Sequence, residues 1–277
     1  MKKTLIALCV AMASGSAMAW TTGDFNGSVD IGGTIEKTDY KAKWQWKTGD
    51  GFNTFENTTN ELRSNGTKLV IAITEDKPIL LGKTSEAFSS SVGGAAAVPN
   101  IVFKGYDGNE VSLLASGSGG DGTHYLELPI HNGDAQDKIG TLRVNVTAAG
   151  VVAKEADSDI QLNSLHSTQS SEVFFGGLVS NAVVDSATVA AATTAKFGSL
   201  SASELQKQVQ DVSGTTLPLT EGTSKATETL VDQDGKVAAA AYAMGMVQGQ
   251  TLEATFDNAI TTETAWKAPM NIEVSYY

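Results

Sequence analysis

The clearest pattern in the chain is an alternation of apolar and polar residues between Gly23 and Ile35. One face carries Phe25, Gly27, Val29, Ile31, Gly33 and Ile35, and the residues between them are mostly polar. Successive side chains of a β-strand point to opposite faces, so this period of two predicts a strand with one apolar face. Such a strand needs a partner that covers this face.

The same alternation predicts some eight short strands before residue 150. Turn sequences such as Asn65-Gly66 and Asp107-Gly108 separate them. After the opening strand, the predicted strands are 40–47, 68–74, 78–81, 98–104, 111–115, 124–130 and 139–146. Their short, regular spacing is typical of a β-sandwich.

The pattern changes after residue 180. Ser201 and Glu204 form a capping-box sequence, and Leu205, Val209 and Val212 share one face, so a helix is predicted over 201–212. Residues 181–197 are rich in Ala, Thr and Val and form a second helix candidate. Further strands are then predicted at 227–231, 237–247, 251–256 and 269–277.

The last predicted strand ends with the chain. Met270, Ile272, Val274 and Tyr276 make its apolar face and alternate with Asn271, Glu273, Ser275 and Tyr277. A terminal strand either pairs on both sides or stands as an exposed edge. We therefore expect this strand to border a site where another strand is added.

Residues 1–19 have the sequence of a secretory signal peptide. Lys2 and Lys3 precede an apolar run, and the small-residue box at 17–19 predicts cleavage before Trp20. The opening strand thus lies within 20–35, at the start of the mature chain. We predict that this segment is a donor strand, which completes the sheet of another copy of the protein. The single cysteine, Cys9, lies within the signal peptide, so the mature chain is predicted to form no disulfide.

The net charge of −12 argues against binding to nucleic acid or anionic lipid. The chain has three histidines, and the spacing of His124 and His131 does not match a zinc site. Residues 117–122 match a dinucleotide fingerprint, but a strand follows them instead of a helix. With 31 acidic residues, no catalytic carboxylate pair can be singled out. We expect no enzyme activity, no metal and no cofactor.

Two interpretations of the terminal strands remain. The N-terminal one is either an ordinary first strand of its own domain or an extension that completes another subunit. Gly27 and Gly33 fall on its apolar face, and glycine is unfavourable inside an ordinary strand. Strand addition accounts for both termini, because one copy's extension then fills a gap in the next copy.

At these residues the chain resembles the FaeG family, the major subunits and adhesins of a class of chaperone/usher fimbriae of enteric bacteria. The resemblance runs over nearly the whole length. It rests on GDFNGSVDIGG at 23–33, KPILLG at 77–82, FGGL at 175–178, FGSL at 197–200, GQTLEATF at 249–256 and the closing Tyr276-Tyr277.

This resemblance implies an all-β fold: an incomplete immunoglobulin-like β-sandwich over 36–277, completed by donor-strand exchange. A periplasmic chaperone lends the missing strand first, and an outer-membrane usher then assembles the fibre. The next subunit's extension replaces the chaperone strand. In such subunits the C-terminal strand borders the groove. The contact is heterologous and does not close, so identical subunits form a fibre at the cell surface.

The resemblance also implies adhesion to galactose-containing glycoconjugates of the host epithelium. The adhesive subdomain, with extra strands and short helices, is expected as an insertion at about 105–179. The family's sugar-stacking aromatic falls at His166, with polar neighbours Thr168 and Ser171. Imidazole offers a smaller stacking face than phenyl, and the other interpretation of His166 is an exposed loop residue.

We therefore expect a subunit that forms the fimbrial shaft and binds host glycans. The alternative is a non-adhesive structural subunit, or a capsule-like surface antigen, of the same fold. A third class, a secreted glycosidase, has little support because no catalytic pair can be identified.

Overall fold

Fourteen strands and two α-helices make up the part of the chain that a computed structural model describes, namely residues 32–33, 39–90, 97–116, 119–133, 137–223, 225–231 and 235–276. Contacts divide the chain into two units, Met1–Lys37 and Thr38–Tyr277. All the strands and helices below belong to the second unit.

The strands are mostly short, with one long exception in the middle of the chain. The first seven are β1 (Trp44–Thr48), β2 (Lys68–Ala72), β3 (Lys77–Thr84), β4 (Pro99–Lys104), β5 (Glu110–Val111), β6 (Leu114–Ala115) and β7 (Thr123–Asn132). The others are β8 (Lys138–Glu155), β9 (Ile160–Ser164), β10 (Leu219–Glu221), β11 (Ala238–Met246), β12 (Thr251–Phe256), β13 (Trp266–Lys267) and β14 (Asn271–Tyr276). A 3-10 helix, Tyr40–Lys43, precedes β1, and a second one covers Thr59–Glu61.

Strand β8 organises the main sheet, which has 11 strands. Its first half pairs with β7 on one edge and β12 on the other, and its second half pairs with β9 and β11. The sheet extends through β11 to β3 and β1, and through β12 to β2. A second sheet has the order β14-β4-β5. Strand β10 pairs with β9 in parallel, and all the other pairings are antiparallel.

Strand β11 is buried on both faces because it lies between the main core and the helices. Tyr242 and Met244 face the core, while Ala239 and Ala241 face the helices. Protein interiors are close-packed, so the small alanine side chains let the helices approach the sheet closely. The alanine-rich sequence of this strand thus reflects a two-sided environment instead of a single apolar face.

The helices are α1 (Ala187–Phe197) and α2 (Ala202–Ser213), and each has a defined start. Glu221, on β10, accepts hydrogen bonds from the Thr188 backbone N–H (2.9 Å), the Ser186 hydroxyl (2.7 Å) and the Thr188 hydroxyl (2.9 Å). These bonds, led by the backbone one, lower the pKa of Glu221 to about 2. The carboxylate therefore stays ionised and holds the positive end of α1 against the sheet.

The structure confirms the all-β class with two short helices, and it confirms the predicted capping box of α2. Five local predictions were wrong. The strand predicted at 40–47 begins only at Trp44, because Tyr40–Lys43 form a 3-10 helix. The strand predicted at 111–115 divides into β5 and β6. Residues 227–231 form no strand, and Leu230 has a φ of +56°, which a regular ladder does not accommodate. Val212 is 45% exposed, so only Leu205 and Val209 pack. Within 181–197 the helix begins only at Ala187.

The stretch predicted to carry an adhesive insertion, 105–179, contributes strands β5 to β9. Its long strand β8 lies in the middle of the main sheet. Any insertion within this range is thus continuous with the sheet, and its adhesive role stays a prediction.

No helix among the described residues is both long enough and apolar enough to cross a membrane.

We expect Ala241→Leu to lower the free energy of unfolding by about 1–3 kcal/mol, because the larger side chain has no space between β11 and the helices. Thermal unfolding followed by circular dichroism measures the effect. Ala72→Leu, at an exposed position of β2, is the matched control and is expected to change stability little. Equal losses in the two variants would contradict this account of the interface.

Candidate functional site

Strand β14 is an edge strand within the described residues. It pairs with β4 along its length, and no other described strand pairs with it. Met270, Ile272, Val274 and Tyr276 are half-buried, and the residues between them are exposed. The edge therefore presents backbone N–H and C=O groups beside an incompletely covered apolar row.

A hydrogen bond joins this edge to β1. The Trp46 Nε1–H donates to the Tyr276 hydroxyl oxygen over 2.9 Å. Burial raises the pKa of Tyr276, and the bond from Trp46 opposes part of that rise. Among the described strands, β1 pairs only with β3. The bond thus holds two edge strands from different sheets next to each other.

Trp46 is fixed by the core on which it lies. A Cβ added at Gly82 of β3 would lie 2.4 Å from the Trp46 ring, so the close approach requires glycine at this position. The ring centroid of Trp46 lies 6.3 Å from Trp44 and 6.2 Å from the buried Phe174. The edge beside Tyr276 is therefore anchored to an aromatic cluster of the core.

Half-buried apolar side chains border the core near these edges. They pack against core residues on one side and remain partly exposed on the other. The set includes Phe52, Phe55 and Leu62 between β1 and β2, and Ala268, Met270 and Ile272 at the C-terminal end. These side chains therefore leave part of the margin of the core uncovered among the described residues.

Most of the predicted donor strand cannot be compared with the structure. Phe25, Gly27, Val29, Ile31 and Ile35 lie outside the described residues. Gly33 is described and exposed, and a Cβ added there would meet no heavy atom within 4 Å. The expected fit of these glycines to a groove stays a prediction.

The residues predicted to bind the glycan lie on an irregular segment between β9 and α1. The same segment contains Glu172, which is buried. Glu172 accepts hydrogen bonds from the backbone N–H groups of Thr168 (2.6 Å) and Gln169 (3.3 Å) and from both side chains. Burial raises the pKa of Glu172, but these bonds outweigh it and hold the pKa below its usual value. An ionised Glu172 therefore organises the turn.

His166, Thr168 and Ser171 all belong to this loop. Thr168 and Ser171 are exposed, and the Thr168 hydroxyl donates to Glu172 over 3.1 Å. His166 is half-buried, and its Nδ1 is buried without a hydrogen-bond partner in the described part of the chain. Only part of the imidazole is thus open to a ligand.

Sequence reasoning missed two features of this loop. Glu172 carries no motif, and only the fold shows that it is buried beneath Thr168 and Gln169. Phe175 begins the FGGL motif at 175–178, and it is 36% exposed while its neighbour Phe174 is fully buried. The loop therefore offers an exposed aromatic ring apart from His166.

His124 and His131 lie buried on β7. His124 Nδ1 is 2.7 Å from the Gly122 carbonyl oxygen, and burial lowers the pKa of His124. The ring of His131 lies 4.6 Å from that of Tyr106. In the described ranges, no group of three His, Cys, Asp or Glu side chains is placed to hold a metal ion.

Comparison with known proteins identifies a family that matches the whole chain. A family model described as "Fimbrial, major and minor subunit" matches residues 1–277. Three Escherichia coli proteins are similar over 100% of both chains: K88 fimbrial protein AB at 46% identity, K88 fimbrial protein AC at 45% and K88 fimbrial protein AD at 44%.

We expect Glu172→Gln to lower the free energy of unfolding by about 1–2 kcal/mol at pH 7, because an amide cannot accept all of these hydrogen bonds. The folded-state pKa of Glu172 lies below 4.5, so its contribution is complete above that pH and is lost as pH falls through the folded value. Denaturant unfolding from pH 7 to pH 3 should show the two proteins converging. A gap that stays constant with pH would contradict this role.

Proposed function

Since the chain belongs to the family of major and minor fimbrial subunits, we propose that it forms the fimbrial shaft by donor-strand exchange and binds galactose-containing host glycans. The protein is a fimbrial subunit, and its place is the fimbrium at the cell surface. Its relatives are fimbrial proteins, and no catalytic activity is proposed.

The edge of β14, which has no second strand partner among the described residues, is the observation that supports the assembly mechanism. An added strand would pair with its backbone and cover Ile272, Val274 and Tyr276. Residues 23–35 have the required alternation, with one apolar face and one polar face. The donor comes from a second copy, and each copy accepts one strand and donates another. This heterologous contact extends into a fibre.

The same edge of β14 explains why the subunit would need a chaperone. Before assembly, an unpaired strand beside partly exposed apolar side chains promotes aggregation. A periplasmic chaperone that lends a strand to β14 would protect the subunit, and an outer-membrane usher would exchange that strand for the next subunit's extension. Both partners bind the surface that later becomes the subunit interface.

The loop at 166–171 supports the adhesive role. Thr168 and Ser171 are exposed polar residues beside His166, and the Glu172 hydrogen bonds hold the turn in one conformation. A loop organised before binding loses less conformational entropy when a ligand binds. Repetition of this site along the fibre provides multivalent attachment.

One observation favours the alternative of a non-adhesive structural subunit. The partly buried imidazole of His166 offers less stacking surface than an exposed aromatic ring would. Purified fibres that bind no host glycan would support this alternative, and they would leave donor-strand exchange unaffected.

Deletion of residues 20–35 is expected to leave a subunit that folds on its chaperone but forms no fibre, because the donor is missing. Electron microscopy and size-exclusion chromatography measure assembly. For a matched pair of point variants, Ile31→Asp on the apolar face should also abolish fibres, while Ser28→Asp on the polar face should permit them. Fibres formed by the deletion variant would refute donor-strand exchange.

His166→Ala is expected to reduce binding of purified fibres to galactose-containing glycans on an array, because the ring is the proposed contact with the sugar. Thr261→Ala, at an exposed position outside this loop, is the control and should bind as the parent does. An unchanged signal for His166→Ala would remove that residue from the site.

A further inference from the structure

A polar cleft of about 240 Å³ lies at the C-terminal end of β8, outside the loop at 166–171. Its floor consists of Val152 and Lys154 on β8, paired with Asn163 and Gln161 on β9. These four residues lie on the face of the sheet opposite α1 and α2, since Val151 and the alternating neighbours pack on the helices. The cleft is thus separate from the helix interface.

One wall of the cleft is held by a buried carboxylate. Glu228 is 7% exposed and accepts hydrogen bonds from Lys154 Nζ (3.1 Å) and the Leu230 backbone N–H (2.7 Å). The same segment is tied to the sheet because the Ala226 N–H donates to the Ser164 carbonyl over 2.8 Å. The wall is therefore organised before any ligand arrives.

The floor, in contrast, presents two amides that have no internal partner. Neither Gln161 nor Asn163 makes a side-chain hydrogen bond with another residue that the structure describes. Both side chains point to the same face, since they are two residues apart on one strand. The Asn163 side chain lies close against Gly222, since a Cβ added at Gly222 would be 1.8 Å from Asn163 Oδ1. Each amide offers donors and an acceptor.

The lining of the cleft carries two cations, Lys154 and Lys236, and two carboxylates, Glu155 and Glu228. Lys154 pairs with Glu228, and Lys236 pairs with Asp157 over 2.5 Å. A site in which the cations already have carboxylate partners gives little preference to an anionic ligand. Ala226 adds a small apolar surface to the lining, whereas Val152 is almost fully buried in the core. Free amides, balanced charge and a small apolar patch together suit a compact hydroxyl-rich molecule.

We infer that this cleft binds one neutral hexose ring, as a second glycan contact besides the loop at 166–171. The inference rests on the proposed adhesive function. The Gln161 and Asn163 amides would donate to and accept from sugar hydroxyls, and Ala226 would contact a C–H face. The volume is smaller than the roughly 300–1,000 Å³ of pockets for larger ligands, so a single ring is the expected occupant.

Saturation-transfer NMR on assembled fibres tests the site, with galactose, glucose, mannose and the anionic N-acetylneuraminic acid as probes. A neutral hexose should receive saturation from the parent fibre. The double variant Gln161→Ala/Asn163→Ala should bind it about tenfold more weakly, because two hydrogen-bonding groups are removed. Asn258→Ala, at an exposed position elsewhere, should bind as the parent does.

A second variant, Gln161→Glu/Asn163→Asp, keeps the shape of both side chains and removes their N–H donors. It should also weaken hexose binding, and circular dichroism shows whether either variant is folded. Absence of hexose binding to the parent, equal binding by the folded double variants, or a preference for N-acetylneuraminic acid would each overturn the inference.

A glycan array run on the same fibres separates this inference from the proposed function. If array binding is intact in both cleft variants and lost in His166→Ala, adhesion stands and the cleft inference fails. If the parent binds no glycan on the array, the adhesive function itself fails.

Discussion

An unpaired strand edge beside a partly exposed apolar row is the constraint on which this subunit depends. The backbone N–H and C=O groups at such an edge can form hydrogen bonds with another strand. Burial of the apolar side chains beside it is also favourable. In the described residues this condition falls on β14, whose alternate side chains are half-buried. In the proposed donor-strand exchange, a strand from another subunit pairs with this edge and completes the fold.

The rest of the fold keeps that edge in place. Strand β8 pairs with four strands of the main sheet, and β11 beside it is buried on both faces. The bond from Trp46 to Tyr276 then connects the end of the smaller sheet to the aromatic core. The edge of β14 is therefore anchored to the core. In the proposed strand exchange, the ordering cost would then fall mainly on the added strand.

Two buried carboxylates hold exposed segments of the chain in place. Glu172 holds the loop that carries Thr168, and Glu228 holds the wall of the polar cleft through Lys154. In each case a carboxylate that accepts several hydrogen bonds organises a segment that has no regular secondary structure. Both segments remain exposed enough to contact a ligand, which is a combination that loops on a rigid sheet often provide.

The sequence by itself determined the all-β class, most of the strands, the capped helix α2 and the apolar row of β14, because these depend on side chains close together in the chain. Only the tertiary structure decided the length of β8, the two-sided burial of β11, the exposure of Val212 and the roles of Glu172 and Glu228. Trp46 and Tyr276 are 230 residues apart, and Lys154 and Glu228 are 74 apart. No local pattern predicts such contacts, since they arise only when the sheets pack together.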